Sequence, residues 1–251
     1  MTIKTEEQKD RLIRSGKILR ALLEAVRKEI RPGVSLKYLD DIAYEVIKKS
    51  GGKPAFLGYK PAGAKHPYPA TICSSVNDVV VHGQPNSYQI KDGDLVKIDA
   101  GVVYDGLYTD AAFTVGVGKI SPKAEKLIEV TEKALYAGIE AAAPGNTLGD
   151  IGYAIEKVVK SAGFKVMDGL TGHGTGLKLH ENPTIYNFGN PGEGQVLKEG
   201  MVLALEPMAA IGTSQVKQLK DESYATVDGS LSAHFEHTVL ITKSGAEILT
   251  D

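Results

Sequence analysis

Four carboxylates and one histidine in this chain have the types and spacing to do chemistry together. Asp99 and Asp110 lie eleven positions apart, on either side of Asp105-Gly106. That dipeptide favours a tight hairpin turn, which would set the flanking strands side by side and let the two carboxylates converge. A second stretch repeats the arrangement. Leu197-Lys-Glu-Gly-Met-Val-Leu-Ala-Leu-Glu206 parallels Ile90-Lys-Asp-Gly-Asp-Leu-Val-Lys-Ile-Asp99, and Glu236-His-Thr-Val-Leu-Ile241 parallels Asp110-Ala-Ala-Phe-Thr-Val115. Glu206 and Glu236 thus hold corresponding places, and folding the two stretches together would gather four acids at one centre. Uncompensated buried carboxylates cost on the order of several kcal/mol each, so such a group must keep its protons or recruit metal. Two divalent ions would balance four acids. His173, flanked by Gly172 and Gly174, can bring its ring close enough to add a nitrogen ligand.

Two further histidines could act as proton or hydrogen-bond donors near neutral pH: His82 in Val79-Val-Val-His-Gly83, and His180 in Leu179-His-Glu181. A single acid beside glycine, or a single histidine, is ordinarily a surface or packing residue. The weight lies in the pattern, because Asp99 and Glu206 end apolar runs that would not casually carry a charge. His180-Glu-Asn-Pro-Thr184 is not the zinc helix HExxH, since the second histidine is missing and a proline interrupts it. The glycines around His173 match neither a dinucleotide fingerprint nor a phosphate loop.

The elements that must position these residues also come in two copies. Thr5 to Gln8 reads as a capping box, followed by Leu19, Leu22, Leu23, Val26 and Ile30 at helical spacing and stopped by Pro32-Gly33. A second helix starts at the N-cap Ser35, carries Leu39, Ile42, Val46 and Ile47 on one face, and ends at Gly51-Gly52. Pro144-Gly-Asn-Thr-Leu148 and Lys160-Ser-Ala-Gly163 echo Pro32-Gly-Val-Ser-Leu36 and Lys49-Ser-Gly-Gly52. In each half an apolar strand ending in its acid (Asp99, Glu206) is expected, followed by a strand that begins with one (Asp110, Glu236). The reading is an α+β fold of two pseudo-symmetric halves, roughly residues 5–118 and 121–245. Helices would cover a mainly antiparallel sheet in a single domain over 1–251. The Gly- and Pro-rich loops Ala55–Pro69 and Gly189–Gly194 are expected to line an entrance.

The whole-chain figures narrow the classes. With 251 residues, 42% hydrophobic side chains and a formal charge of −2, the chain can bury a large core and has no basic excess for nucleic acid or an anionic membrane. The lone Cys73 cannot form an intrachain disulfide, and no apolar run nears the roughly 18 residues of a membrane span. The start, Met1 to Glu7, lacks an apolar signal core, so a cytoplasmic protein is expected.

Taken together, Val79-Val-Val-His-Gly83, Lys97-Ile-Asp-Ala-Gly101, Asp105-Gly with Thr109-Asp110, Gly172-His-Gly174, Leu205-Glu-Pro207 and Ser232-Ala-His-Phe-Glu-His-Thr238 fall in one order along the chain. In this the sequence resembles the type I methionine aminopeptidases of the pita-bread family over essentially its whole length. The resemblance implies a dinuclear centre of two divalent ions, Co, Mn, Fe or Zn. Asp110 and Glu236 would bridge the ions, Asp99 would serve one, and His173 with Glu206 the other. It implies hydrolysis of the first peptide bond of a nascent protein by a metal-bridging hydroxide, removing the initiator methionine before a small second residue. Glu206 would shuttle the proton, His180 would stabilise the tetrahedral intermediate and His82 would face the leaving amide. Cys73 and Tyr68 would line the methionine pocket. The chain departs from the family in having Leu179 where a phenylalanine is common, no tryptophan, for which Tyr224 is the substitute, and extra residues around Ala62–His66. A cytoplasmic monomer that meets nascent N-termini and transiently the ribosome follows from the same resemblance.

Three alternatives share the fold. Xaa-Pro peptidases use the same ligands but usually carry a preceding domain, for which the sequence before Asp99 is short. Type II methionine enzymes need an insertion that the stretch between Glu206 and Glu236 does not hold. Non-catalytic relatives typically lose ligands, and all five are present here.

Overall fold

The computed structural model describes residues 2–3, 5–61 and 63–251. The first half holds α1 (Glu6–Glu29), α2 (Leu36–Lys49), β1 (Lys53–Pro54), β2 (Ile72–Val76), β3 (Val79–Val81), β4 (Leu95–Tyr104) and β5 (Leu107–Gly116). The second holds α3 (Pro122–Ala141), α4 (Leu148–Ser161), β6 (Lys165–Val166), β7 (Thr171–Gly174), β8 (Glu181–Tyr186), β9 (Val202–Leu205) and β10 (Met208–Ala210). It continues with β11 (Val216–Gln218), β12 (Tyr224–Thr226), β13 (Ser232–His234), β14 (Glu236–Thr242) and β15 (Gly245–Ile248).

Each helix starts where a Ser or Thr side chain takes up a free backbone N–H of the first turn. Thr5, Ser35, Ser121 and Thr147 accept from Gln8, Tyr38, Ala124 and Asp150. At Thr147 the Asp150 carboxylate returns the bond to the cap's own N–H, closing a capping box. The repeat read from the sequence extends to backbone pairing. The Gly33 N–H donates to the Ile90 carbonyl and the Gly145 N–H to that of Leu197, at 2.8 and 3.1 Å. Ser35 bridges Gln89 just as Thr147 bridges Val196. The turn between the helices of each pair is thus stitched to the loop that feeds the strand of its own acid.

The strands form a large sheet in the order β1-β4-β5-β14-β9-β7-β8, with β2 beside β4 and β15 beside β14, every pairing antiparallel. Successive strand residues point to opposite faces. Val96, Ile98, Ala100 and Val102 of β4, Phe113 of β5, Leu203 and Leu205 of β9, and Val239 and Ile241 of β14 join the core that also holds Leu19, Leu22, Leu39, Ile47, Leu127 and Ile155 of the helices. The helices therefore cover one face. The other face carries the candidate functional residues.

Two expectations are corrected. Asp99 and Asp110 do not end and begin strands; they sit inside β4 and β5, each 10 residues long. The Asp105-Gly106 turn, with φ of 47° and 78°, pairs Tyr104 with Leu107, so the ladder runs on past both acids to the hairpin tip. In the second half, Glu206 does follow β9 and Glu236 does open β14, because Pro207 lacks a ladder N–H and the chain bends there into β10. The loop Gly189–Gly194 does not line the site entrance. It packs over the first turn of α4, where the Gly149 N–H donates to the Glu193 carbonyl and the Gly192 N–H to Asp150. A Cβ on Gly149 would stand 2.2 Å from the Asn190 carbonyl oxygen, which is why the loop can lie so close.

Candidate metal centre

Strand register gathers the acids. Cys73 pairs with Asp99, Asp99 with Ala112, and Ala112 with Glu236, making one row across β2, β4, β5 and β14. In the next row Gly101 pairs with Asp110, Thr238 with Ala204, and Ala204 with His173. Thr238 ties Asp110 into that row, its hydroxyl accepting from the Asp110 N–H and donating to the Asp110 carbonyl, both at 2.8 Å. Residues two apart on a strand share a face, so both rows point the same way. The positions between the acids are Ala112, Ala204 and Gly101, which leave room above the sheet.

His173 enters on β7 between two glycines that cannot be larger. A Cβ on Gly172 would lie 2.5 Å from the Ala204 carbonyl oxygen, and one on Gly174 would lie 2.2 Å from that of Asn182. The His173 Nδ1 donates to the Gly174 carbonyl at 3.0 Å, which leaves Nε2 with a free lone pair. That nitrogen is 3.5 Å from Glu206 Oε1 and 4.0 Å from Asp110 Oδ2.

Oxygen and nitrogen atoms of His173, Glu206 and Glu236 lie within 4.8 Å of one another, as do those of Asp99, Asp110 and Glu236. The two trios share Glu236, a donor set that suits divalent cations. The donor set fits such ions on a second count. Asp99 Oδ1, Asp110 Oδ1 and Glu236 Oε1 are buried without a hydrogen-bond partner among the described residues, a condition native proteins seldom tolerate. Burial pushes the carboxyls of Asp99 and Glu206 up to about 7, and it pushes those of Asp110 and Glu236 well above their ordinary range, with the neighbouring acids adding to the shift. Four carboxylates held this way are short of positive charge.

One buried residue was not singled out by the sequence reading although it lies in a quoted motif. His234 Nε2 is 3.4 Å from Glu206 Oε2 and 4.0 Å from Glu236 Oε2, and it too lacks a hydrogen-bond partner. Burial lowers its imidazole to about 4. The Thr114 hydroxyl fixes its backbone, donating to the His234 carbonyl and accepting from its N–H. Its place two residues before Glu236, on the same strand path, was the available signal.

The two expected substrate histidines stand at the mouth and both reach solvent. His180 is the nearer, with a ring nitrogen within 4.8 Å of ligand atoms of Asp110 and His173, and its ring centroid is 4.4 Å from that of His173. Tyr59, missed in the sequence, meets His180 Nδ1 at 2.9 Å. His82 adopts φ of 62° and lies edge-on to Tyr224 at 5.8 Å between ring centroids. Crowding by the surrounding protein lowers His82 to about 4 and His180 to about 3, so both are neutral at pH 7.

Beside the acids lies an apolar wall of Ala55, Phe56, Cys73 and Leu179, with Tyr59, Tyr68 and Tyr108 against it. It holds both Cys73 and Tyr68 and the departure at Leu179, and it confirms that the first Gly- and Pro-rich loop borders the site. The Tyr68 hydroxyl shares its proton between the carbonyls of Ile72 and Gly83, at 3.0 and 2.9 Å, tying the wall to β2 and to the residue after His82. Burial pushes the Cys73 thiol up, which keeps it neutral next to Asp99. In the expected extra segment, Ala62 lies outside the described residues, as do Met1 and Lys4 of the start, while the Lys65 and His66 N–H groups donate to Glu222.

The model of metallopeptidase family M24 matches residues 10–243. A methionine aminopeptidase of Clostridium perfringens is 47% identical over 249 residues, covering 99% of this chain and 98% of the relative. The crystal structure of methionine aminopeptidase from Thermotoga maritima superposes with a TM-score of 0.94 at 44% identity, covering all of both chains. A prolidase from Pyrococcus furiosus gives a TM-score of 0.80 at 27% identity and is covered over 65% of its length.

Proposed function

The chain belongs to metallopeptidase family M24, and we propose that its two rows of acids and histidines form the centre of a metal-dependent aminopeptidase that removes N-terminal methionine. The observation that carries this reading is the pair of ligand trios sharing Glu236, together with the buried, unpartnered carboxylate oxygens of Asp99, Asp110 and Glu236. Full-length likeness to methionine aminopeptidases, against partial coverage of a prolidase, favours methionine over an Xaa-Pro substrate. Asp99, Asp110 and Glu236 would hold one divalent ion and His173, Glu206 and Glu236 the other, with Asp110 bridging too. When bound, such ions supply Lewis-acid polarisation of the scissile carbonyl and an acidified water.

The protein's own groups do the rest. Glu206, beside the site of attack, would accept a proton and pass it to the departing amine. With the Tyr59 hydroxyl as donor to His180 Nδ1, 2.9 Å away, the imidazole proton would lie on Nε2 and serve the oxyanion that develops on the carbonyl oxygen. His82 faces the leaving amide. The wall of Phe56, Tyr59, Tyr68, Cys73 and Leu179 takes the flexible thioether. A free α-amino group would be anchored among the carboxylates, which confines cleavage to the first bond. Nascent proteins are the natural source of such N-termini, met near the ribosome in the cytoplasm by a monomeric enzyme. Among the described residues no helix is long and apolar enough to cross a membrane.

The test is release of free methionine from Met-Ala-Ser and Met-Lys-Ser, with Met-Pro and Ala-Pro peptides alongside, for chelated enzyme and enzyme restored with Mn or Co. Metal-dependent release that favours the small second residue is the expected result. Cleavage confined to bonds before proline would assign the protein to the Xaa-Pro branch, and metal binding without cleavage would make it a binding protein.

A further inference from the structure

Lys97 is the largest fully buried side chain in the protein, and its ammonium forms no ion pair among the described residues. It lies on β4 two residues before Asp99 and therefore on the same face, one step down the strand from the carboxylates. In place of a carboxylate it meets backbone carbonyls, with Nζ donating to Asn77 O at 2.8 Å and to Ser232 O at 3.1 Å. The Asn77 carbonyl also accepts from the Ser232 N–H and hydroxyl, at 3.1 and 3.0 Å. Three donors thus converge on one oxygen. Asn77 holds φ of 55°, a left-handed conformation, and is pinned there by Asp94 Oδ1 and the Leu95 N–H, each at 2.9 Å from its side-chain amide.

A buried ammonium persists only where its donors are taken up, and loss of its hydration must be repaid by something local. Here it adds a side-chain link among three segments, the first two of which already meet through the pairing of β2 with β4. One is β4 with Asp99, another the turn at Asn77 that leads through β3 to His82, and the third β13, which runs directly into His234 and Glu236. We propose that Lys97 is a positioning residue, an internal donor that clamps the carbonyls of Asn77 and Ser232 and so holds the segment leading into His234 and Glu236 against β4 and Asp99. It touches neither substrate nor metal. The inference rests on the metal-centre reading above, and it extends it from the ligands to the groups that space them.

Lys97→Met keeps the length and packing of the side chain and removes the charge and its donors. The variant should unfold at the same temperature or higher, since an apolar isostere avoids the desolvation cost, yet bind Mn at least tenfold more weakly and turn over peptide at least tenfold more slowly, with KM little changed. In Lys97→Ala, ammonium chloride should restore both metal affinity and kcat by re-entering the carbonyl cage, whereas tetramethylammonium, which has no N–H, should not. The wild-type enzyme should ignore both salts. Wild-type kcat and metal affinity in Lys97→Met, or ammonium activation of the wild-type enzyme, would overturn the proposal. Metal affinity is read by calorimetry without peptide, so a protein whose metal affinity depends on Lys97 but which cleaves nothing would refute the aminopeptidase reading alone.

Discussion

Tyr59 shows how one hydrogen bond can decide what a histidine does. Burial raises the Tyr59 phenol, which keeps its proton at neutral pH, and a phenol that donates to His180 Nδ1 leaves the imidazole proton on Nε2. Tyr59→Phe keeps the ring against His180 and removes only that hydroxyl. It should lower kcat about tenfold with KM nearly unchanged, whereas His180→Ala should lower kcat about 10²-fold or more. If the two act as one unit, Tyr59→Phe adds little in the His180→Ala background, which steady-state kinetics of the double variant would read directly. An effect of His180→Ala confined to KM would contradict its role at the oxyanion.

Among the elements, α1 lies unusually close to the C-terminal segment. A Cβ on Gly16 would stand 1.8 Å from the Leu249 carbonyl oxygen, and backbone cannot swing aside as a side chain does. Nearby, the Ser15 hydroxyl donates to the Val102 carbonyl and meets Thr109, tying the helix to both strands of the Asp99–Asp110 hairpin. Gly16→Ala should therefore destabilise the fold by about 1–3 kcal/mol by urea denaturation, despite alanine's better helix propensity. Gly33→Ala offers the control, because its Cβ would meet nothing within 4 Å and the cost is only that of φ at 88°, about 1 kcal/mol. Equal losses in the two variants would refute the close-approach argument.

For the molecule as a whole, the acids make stability and metal binding depend on pH. Asp99 and Glu206 are raised to about 7 in the folded, metal-free state against about 4 when unfolded. Folding then holds protons that the unfolded chain has released, a contribution present at low pH and lost as pH rises through about 7. His82, His180 and His234 are lowered to about 4, 3 and 4 and act in the opposite sense, but only below their ordinary value near 6.5. Lys97, lowered to about 7, opposes only above that point, where Asp99 and Glu206 have already given up their protons. The metal-free protein should thus lose thermal stability as pH rises toward and through about 7, while the metal-loaded protein, its carboxylates held ionised, should not. Metal affinity should rise over the same interval with release of protons, visible by calorimetry in buffers of different ionisation heat. A metal-free melting temperature flat or rising across that interval would contradict the linkage.

Much of this was written locally in the chain. Turn and cap residues act on their immediate neighbours, so Ser35, Thr147, Gly33, Gly145 and the Asp105-Gly106 hairpin were legible in order and in kind, and so was the internal repeat they punctuate. The five candidate ligands and the two mouth histidines were legible because acids closing apolar runs conflict with burial unless something compensates them. Strand length was not legible, since β4 and β5 run past their acids through cross-strand pairing that no single strand encodes. Nor was the position of the loop Gly189–Gly194, which is decided by the backbone surface that Gly149 exposes. Tyr59, His234 and Lys97 gain their partners from residues far along the chain, His180, Glu206 and Ser232 among them. Spacing along the sequence named the chemistry; which side chains support it was decided only when the sheet brought two halves of the chain onto one face.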